Sequence, residues 1–504
     1  MADESGSTAD LARLTSWHSD AWRGLKVGVL GAAVVGFAAA DTLVELGCDV
    51  LVVGERATEE RTTLLDVIGA ALRLGDAAAQ RDALAAFAPD LIVVSPGFHP
   101  DVPALVWAAE AGVPVLGDVE LAWRLRDKTG EPAEWVTITG TNGKTTTTQL
   151  TTAMLAAGGL RARACGNIGS PVLDAIREPD GWDVLVVELS SYQLHWMEQV
   201  SPAASVCLNV ADDHLDWHGS AEAYRAAKGR VYARTRIACV YNVEDAVTEQ
   251  LVREADVVEG CRAVGFTRGV PRVSEVGVVE EVLVDRAFLE QRRTSALELT
   301  TLDALHEAGL SAPHVVADVL AAAALARALD VEPRAIRDAL AAFRLDAHRI
   351  EPVAEAGGVR FVDDSKATNP HAAAASLSAF ERVVWIAGGL TKGVDVAPLV
   401  EAVAGSGRLR GAVLIGKDTE AFSSALARHA PSVPVTVVPD VETDRVMPLA
   451  VEAARVLAGD GDVVLLAPAA ASMDQFTDYS DRGSRFAAAV REALAGPGGA
   501  QRTE

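Results

Sequence analysis

Apolar runs alternate with alanine-rich or amphipathic stretches along most of the chain. Between residues 25 and 117 the strand-like runs are KVGVLG, DVLVVGE, DLIVVSPG and VPVLG, and the helical stretches are FAAADTLVELG and PALVWAAEAG. Continuous apolar strands separated by helices are typical of a parallel sheet that is covered on both faces. The first part of the chain is therefore predicted to be an α/β domain.

The same alternation occurs twice more. A second set of strands is predicted at EWVTITG, WDVLVVELS, PAASVCLNV and RIACVYNVED, and residues 255–301 are interpreted only as short strands and turns. A helical pair, PHVVADVLAAAALARALD and EPRAIRDALAAF, precedes a third set at VRFVDDSKATN, RVVWIAGG, GAVLIG, PVTVVPD and DVVLLAPAAAS. The pattern thus predicts three α/β domains in series.

Chain length agrees with this division, because 504 residues exceed the size at which a single hydrophobic core keeps growing. We expect a Rossmann-like N-terminal domain over residues 23–120, a central domain over 121–346 and a C-terminal Rossmann-like α/β domain over 347–504. Residues 1–22 begin with the acidic stretch MADESGSTAD and are predicted to be a disordered tail.

Charge and cysteine content restrict the classes of partner. With 45 basic and 70 acidic residues the formal net charge is −25, which argues against binding nucleic acid or an anionic membrane. The five cysteines include no CxxC pair, as expected for reduced thiols in the cytoplasm. The longest uncharged run, residues 27–40, is too short for a membrane-spanning helix of about 20 residues. No export signal is apparent, so we expect a cytoplasmic protein without membrane insertion.

The stretch TITGTNGKTTTT joins an apolar strand to a helix through a glycine-containing turn. Its spacing is more compact than that of the common GxxxxGK[ST] loop. Backbone N–H groups at a helix N-terminus bind phosphate, Lys144 adds a positive charge, and Thr145 or Thr146 can place a hydroxyl on Mg²⁺. The central domain is therefore predicted to be a P-loop ATPase domain.

Three further polar residues of the central domain are candidates for its site. Glu188 ends a strand expected beside the phosphate-loop strand, where a carboxylate points into the ligand crevice and can bind Mg²⁺. His214 follows another strand and is a candidate metal or phosphate contact. Lys228 lies on a helix, where a surface charge is the ordinary interpretation.

The phrase FVDDSKATNPHA places acids and a lysine between a strand and a helix. Asn369 is predicted to cap that helix, with Pro370 at its first position. If the preceding segment is extended, Asp364, Lys366 and Thr368 share one face. This arrangement is typical of a polar site rather than of a random surface.

The stretches GTNGKTT, GNIGSP, VVELSSYQL, NVADDHLDWH, HRIE, DDSKATNPHA, AGGLTKG and LLAPAAASMDQFTDYSDRG occur in the order and approximate spacing of the Mur ligases. The resemblance covers nearly the whole chain from about residue 25. DSKATN and ASMDQF resemble the branch of this family that adds D-glutamate. The resemblance implies that ATP activates the carboxylate of UDP-N-acetylmuramoyl-L-alanine as an acyl phosphate, which D-glutamate then attacks, in peptidoglycan precursor synthesis.

The resemblance also implies roles for individual residues. Catalytic roles fall on Lys144, Glu188, His214 and Lys228. Two Mg²⁺ sites involve Thr145, Glu188, His214 and Lys228, the lysine being carbamylated. The ATP contacts are Gly140, Thr141, Asn142, Gly143, Lys144, Thr145, Thr146, Arg349 and Asp364. The UDP-substrate contacts are Gly31, Gly36, Ser95, Gly97 and Asn167. The D-glutamate contacts are Lys366, Thr368, Lys392, Ser472 and Tyr479, with tyrosine where the family can have phenylalanine.

Some positions depart from the family pattern. Ala33 replaces the middle glycine of a G-x-G-x-x-G turn, and Gly54 stands where an acid is expected after the second strand. Val315 and Asp318 replace two asparagines expected near the adenine. Two alternatives therefore remain: a related folate polyglutamate-type ligase, and a weakly active or non-catalytic Mur ligase homologue. A monomer is expected.

Overall fold

The computed structural model describes residues 9–495, which form three separate β-sheets covered by helices. The chain divides into two compact units. Among the described residues, one comprises 9–210 together with 214–304 and 317–343, and it carries the first two sheets. The other comprises 211–213, 305–316 and 344–495, and it carries the third sheet. The predicted α/β class with three domains is confirmed, whereas the boundaries at residues 120 and 346 stay predictions.

The first sheet is parallel and has five strands in the order β3-β2-β1-β4-β5. Its strands are β1 Lys26–Leu30, β2 Asp49–Gly54, β3 Ala71–Leu74, β4 Leu91–Val94 and β5 Val115–Gly117. Its helices are α1 Val34–Glu45, α2 Glu59–Ile68, α3 Ala77–Phe87, α4 Pro103–Ala111 and α5 Asp118–Arg124. This is the expected Rossmann-like arrangement, with the strand order reversing between β1 and β4.

The disordered tail predicted for residues 1–22 requires a correction. Residues 1–8 lie outside the described part of the chain, but residues 9–22 pack on the first domain. Leu14 is 1% exposed and Trp22 is fully buried. The guanidinium of Arg124 donates a 2.8 Å hydrogen bond to the carbonyl of Leu11. Apolar side chains within an otherwise polar segment therefore hold it in place.

The second sheet has nine strands in the order β14-β13-β12-β11-β10-β9-β6-β8-β7. Its strands are β6 Glu134–Thr139, β7 Ala162–Gly166, β8 Val184–Glu188, β9 Ala204–Cys207, β10 Ala238–Asn242, β11 Arg262–Phe266, β12 Glu275–Val279, β13 Val282–Asp285 and β14 Leu297–Thr301. The helices that follow β6 are α6 Lys144–Ala157, α7 Val172–Ile176, α8 Ser191–His195, α9 Leu215–His218, α10 Ala221–Gly229, α11 Ala246–Arg253, α12 Leu302–Glu307, α13 Pro313–Ala328 and α14 Pro333–Ala342. Strand β6 lies between β9 and β8, so the phosphate loop leaves an interior strand of the sheet.

The third sheet has six strands in the order β15-β16-β20-β17-β18-β19. Its strands are β15 Glu351–Ala356, β16 Val359–Asp363, β17 Val383–Gly388, β18 Leu409–Ile415, β19 Val435–Val437 and β20 Val463–Leu466. Its helices are α15 Pro370–Ser378, α16 Ala397–Gly405, α17 Glu420–His429, α18 Thr443–Leu457 and α19 Tyr479–Ala495. Strand β16 lies beside β20, which brings the DDSKATN segment and the segment after β20 to the same edge.

No helix within residues 9–495 combines the length and the apolar character needed to cross a bilayer.

Candidate active site

The phosphate loop closes tightly between β6 and α6. Gly140 has φ 157° and Gly143, which precedes α6, has φ 83°. A Cβ atom on Gly140 would lie 2.9 Å from the Cβ of Leu208, so a side chain does not fit there. The Nζ of Lys144 donates hydrogen bonds of 2.9 Å to the carbonyls of Gly140 and Thr141. The loop thus carries a fixed positive charge at a helix N-terminus, which is the arrangement that binds phosphate.

Asn209, which follows β9, makes two hydrogen bonds to the backbone of this loop. Its Oδ1 accepts a 2.9 Å hydrogen bond from the backbone N–H of Asn142, and its Nδ2 donates a 3.1 Å bond to the Asn142 carbonyl. Sequence reasoning did not single out Asn209, because the contact depends on β9 lying next to β6.

Glu188 lies where the strand pattern predicts it. Strand β8 pairs with β6 in parallel, with Glu188 opposite Ile138, close to the start of the loop. The side chain is 2% exposed. One carboxylate oxygen accepts a 2.9 Å hydrogen bond from Nδ2 of Asn167. The other oxygen, Oε2, is buried and has no hydrogen-bond partner among the described residues. Such an oxygen fits a divalent cation, because Mg²⁺ prefers carboxylate ligands.

Lys228 is not the surface charge that its helical position suggests. It is 2% exposed, and its Nζ donates a 2.7 Å hydrogen bond to the carbonyl of Gly140. A second bond of 3.2 Å reaches the hydroxyl of Thr139. The amine therefore lies directly beneath the phosphate loop, held by the strand that leads into it.

His214 directly precedes α9 and has a left-handed conformation, with φ 51°. Its Nδ1 is 2.7 Å from the hydroxyl of Tyr192 on α8. On the same short helix, Nε2 of His218 lies 2.9 Å from the hydroxyl of Ser191. Burial lowers the pKa of His218 to about 4, so this imidazole is neutral at physiological pH. Helix α8 thus holds both histidines of the segment through neighbouring residues.

The predicted UDP-substrate residues of the first domain meet where its strand order reverses. Gly31 follows β1 and Ser95 follows the neighbouring β4. A Cβ on Gly31 would overlap the hydroxyl of Ser95, and one on Gly36 would overlap the carbonyl of Gly31. The Ser95 oxygen is buried without a partner among the described residues. Gly97 lies nearby in open space, so the set lines the crevice in which open α/β sheets bind ligands.

In the third domain, Lys366 and Tyr479 lie in contact. The Nζ of Lys366 donates a 2.8 Å hydrogen bond to the Tyr479 hydroxyl and lies 4.2 Å from the centre of its ring. Ser472 is 4% exposed near the same edge. Lys392 lies on an exposed turn with φ 53°, two residues after Leu390, which bridges Ala471. The partly buried Thr368 directly precedes Asn369, the cap of α15.

Two other predicted residues, Arg349 and Asp364, belong to the same domain and are partly or fully buried. Asp364 accepts hydrogen bonds from the hydroxyl of Ser376 and, at 3.3 Å, from the N–H of Ile350. Burial raises the pKa of Asp364 to about 6. The Nε of Arg349 is buried without a partner among the described residues.

Comparison with known proteins agrees with this geometry. The model of the Mur ligase middle domain matches residues 138–326, and that of the Mur ligase glutamate ligase domain matches residues 348–470. A UDP-N-acetylmuramoylalanine–D-glutamate ligase from Leifsonia xyli subsp. xyli is 61% identical over 498 residues, covering 96% of this chain and 96% of that protein. The chain belongs to the Mur ligase family.

Further relatives of this Mur ligase chain support the assignment. The enzyme of the same name from Streptomyces avermitilis is 54% identical, covering 93% of this chain and 98% of that protein. Among solved structures, the UDP-N-acetylmuramate–alanine ligase of Thermotoga maritima aligns with a TM-score of 0.53 at 19% identity, over 93% of this chain and all of that one. A MurF ligase from T. maritima in complex with ADP gives 0.53 at 18% identity, over 96% of this chain and all of that one. At such identities these structures establish the fold alone.

The structure shows the surroundings of the residues that depart from the family pattern. Ala33 is exposed at the start of α1 with φ −85°, a conformation that any residue adopts, so its backbone does not need glycine. Asp318 on α13 lies against the phosphate loop, because a Cβ on Gly143 would overlap its Oδ1. A Cβ on Gly54 would lie 3.1 Å from the Cβ of Ala32. Val315 is 3% exposed on α13.

Arg482 was not singled out from the sequence, although it lies in the quoted stretch TDYSDRG. It is fully buried on α19, and burial lowers its pKa to about 10. Its guanidinium donates bonds of 2.9 Å to the carbonyl of Ser365 and 3.1 Å to that of Ala470. It therefore joins the two segments that carry Lys366 and Ser472. The sequence feature that could have indicated Arg482 is its position in TDYSDRG, a polar stretch shared with the family.

Proposed function

We propose that this protein joins D-glutamate to UDP-N-acetylmuramoyl-L-alanine at the expense of ATP, giving ADP and phosphate. The proposal is supported by curated relatives of that name, which match over nearly the full length of both chains. The structural observation that carries it is the buried, unpartnered Oε2 of Glu188 beside the phosphate loop. A carboxylate in that position suits an enzyme that transfers phosphate with a divalent metal.

In this proposal ATP binds with its phosphates on the loop from Gly140 to Thr146. Lys144 is already oriented by two loop carbonyls, so its charge lies at the position where phosphate oxygens gather. Backbone N–H groups at the start of α6 add hydrogen bonds to the same oxygens. In the third domain, Arg349 and Asp364 are the proposed nucleotide contacts.

Glu188 and Thr145 are the proposed ligands of one Mg²⁺, and His214 and carbamylated Lys228 those of a second. The unpartnered Glu188 oxygen supports the first site. Bound Mg²⁺ would neutralise charge on the phosphates during transfer. Lys228 is buried beneath the loop, where its Nζ lies against the Gly140 carbonyl, and this position next to the phosphate loop is consistent with the proposed role.

The chemistry proceeds in two steps. The L-alanyl carboxylate attacks the γ-phosphate of ATP, forming an acyl phosphate and releasing ADP. The amine of D-glutamate then attacks the acyl carbon through a tetrahedral intermediate and displaces phosphate. Lys144 and the loop N–H groups stabilise charge on the transferred phosphate. Positioning of the reactants accounts for most of the remaining rate gain.

The amino acid is proposed to bind in the third domain. Lys366, Lys392, Ser472, Thr368 and Tyr479 are its proposed contacts. Two lysines suit a substrate that carries two carboxylates. The crevice formed by Gly31, Gly36, Ser95 and Gly97, together with Asn167, is the proposed UDP-substrate site.

Phosphate release by the purified protein tests the proposal. Assays contain ATP and Mg²⁺, with the UDP-linked acceptor and D-glutamate added singly or together, and with L-glutamate replacing D-glutamate. We expect release only when the acceptor and D-glutamate are both present, and a product whose mass equals the acceptor plus D-glutamate minus water. Release that ignores either substrate, or its complete absence, would contradict the proposal.

The folate polyglutamate alternative is not favoured, since the full-length curated relatives are D-glutamate ligases. A pteroyl acceptor with L-glutamate provides the direct comparison, and we expect no release with it. We place the reaction in the cytoplasm and expect a monomer. The five cysteines, all unpaired, agree with a reducing compartment, and light scattering on the purified protein tests the monomer.

A further inference from the structure

Two cysteine thiols of the second sheet lie in van der Waals contact. Cys239 is the second residue of β10, and Cys261 directly precedes β11, the parallel neighbour of β10. Their Sγ atoms are 3.7 Å apart. A disulfide joins sulfurs about 2.05 Å apart, so a bond requires only a small approach of two side chains that already face each other.

The two thiols differ in access. Cys239 is 2% exposed, whereas Cys261 is partly exposed at the end of the preceding loop. A reagent from solvent therefore reaches Cys261 first. A hydrogen bond from the Cys239 thiol lowers the pKa of Cys261, and the same contact together with burial raises that of Cys239. Cys261 is accordingly the stronger nucleophile of the pair.

We propose that Cys239 and Cys261 form an oxidisable dithiol site, which a low-molecular-weight disulfide converts into an intramolecular disulfide. The Cys261 thiolate attacks one sulfur of the oxidant, forming a mixed disulfide and releasing one thiolate. The released thiolate takes the proton of Cys239, whose sulfur then attacks the adjacent Cys261 sulfur and releases the second half of the oxidant as a thiolate. The two protein thiols lose two electrons and two protons, and the oxidant becomes two thiols.

The other thiols lack this arrangement. Burial raises the pKa of Cys48, Cys165 and Cys207, in each case to about 12, so these protonated thiols do not make the first attack on the oxidant. The oxidation should therefore be selective within a chain of five cysteines. The resulting bond would connect the start of β10 to the loop before β11 and enclose α11.

Mass spectrometry of the folded full-length protein tests the site. The reduced protein is incubated with oxidised glutathione while folded, and its fold is checked by circular dichroism. Its intact mass is measured next, and it is then alkylated under denaturing conditions and digested. We expect the intact mass to fall by two hydrogen atoms, a peptide pair linked through Cys239 and Cys261, and alkylation of the other three cysteines. A folded protein without this link, or a link that forms only in denaturant, would overturn the proposal.

Serine variants separate the two steps. Cys239→Ser should retain a glutathione adduct on Cys261, because the first attack remains while the second sulfur is missing. Cys261→Ser should carry no adduct on the buried Cys239. The matched control Cys48→Ser should form the link as the unaltered protein does. An adduct on Cys239 in the Cys261→Ser variant would contradict the proposed order of attack.

Discussion

Asn167 holds Glu188 through both its backbone and its side chain. Its N–H donates a 2.9 Å hydrogen bond to the Glu188 carbonyl, and its Nδ2 donates one of the same length to the carboxylate. One carboxylate oxygen is thus fixed, and the other is buried without a partner among the described residues. Asn167, which follows β7, thus sets the orientation of Glu188 at the end of the neighbouring strand β8.

Replacing the carboxylate tests its proposed metal role. Glu188→Gln keeps the shape of the side chain but removes the charge that Mg²⁺ requires, so we expect phosphate release to fall by about 100-fold or more. The melting temperature should change little, because the glutamine oxygen can still accept the hydrogen bond from Asn167. The exposed Glu178→Gln is the matched control and should behave as the unaltered protein. Turnover within a few-fold of normal in Glu188→Gln would exclude the metal role.

Lys144 gives a second test, directed at the phosphate loop. Lys144→Met removes the charge aimed at the phosphates, and turnover should fall by about 100-fold or more. The fold should persist, because the lost bonds are to two loop carbonyls of a partly buried site. Lys417→Met, at an exposed lysine, serves as the control. Steady-state phosphate release and circular dichroism provide the measurements, and a fully active, folded Lys144→Met protein would show that the loop has been misassigned.

The contact between Lys366 and Tyr479 predicts an effect on the amino-acid substrate. Tyr479→Phe removes the hydroxyl that accepts a hydrogen bond from Lys366, while the ring that lies under the ammonium remains. We expect the KM for D-glutamate to change several-fold, with kcat and the KM for ATP nearly unchanged. Tyr241→Phe, in the second sheet, should change none of them. An unaltered KM for D-glutamate in Tyr479→Phe would show that Lys366 and Tyr479 do not contact this substrate.

The interior of each sheet could be predicted from the sequence, and parts of the edges could not. Strands such as β6 and β8 are continuous apolar runs because both of their faces are covered. The strands left unassigned, β3, β7 and β15, each lie at the edge of a sheet and are partly exposed. These three strands bury few side chains, so their sequences lack a continuous apolar run, whereas the edge strands β5 and β19 have short apolar runs and were predicted.

The candidate site divides in the same way. Lys144 and Glu188 could be placed from the residues alone, because a loop after a strand and an acid at a strand end have fixed directions in a parallel sheet. Lys228 could not, because its burial depends on how α10 packs beneath the loop. The hydrogen bonds of Arg482 could not be predicted either, because Ser365 lies 117 positions away in the sequence and Ala470 lies 12 positions away.

The buried carboxyl of Asp364 predicts a pH dependence of stability. Its pKa is about 6 in the folded protein against an ordinary value of 3.8, so the unfolded chain releases this proton first as the pH rises. The contribution of Asp364 to stability is therefore greatest below about pH 4 and is lost by about pH 6. Relative to Asp364→Asn, the unaltered protein should lose up to about 3 kcal/mol across this range.

Urea denaturation at a series of pH values measures that difference, followed by a spectroscopic probe in the third domain. Asp440→Asn, at an exposed aspartate, is the control and should run parallel to the unaltered protein at every pH. A difference between Asp364→Asn and the unaltered protein that stays constant, or grows in favour of the unaltered protein as the pH rises, would show that burial does not control this carboxyl.

A substitution at Gly483 on α19 tests how closely the third domain is packed around the hydrogen-bonded pair of His348 and Asp363. His348 Nδ1 lies 2.7 Å from Oδ2 of the buried Asp363. A Cβ on Gly483 would overlap His348 Nδ1 and lie 2.7 Å from the same Asp363 oxygen. Neither partner can move without breaking this bond, so Gly483→Ala should destabilise the domain by about 1–3 kcal/mol despite the better helix propensity of alanine.

Gly405→Ala is the matched control, because Gly405 ends α16 with no atom within 4 Å of the added methyl. Its stability should be unchanged or higher by up to about 1 kcal/mol. Equal urea midpoints for the two variants would show that His348 and Asp363 shift to accommodate the methyl group at little cost in stability.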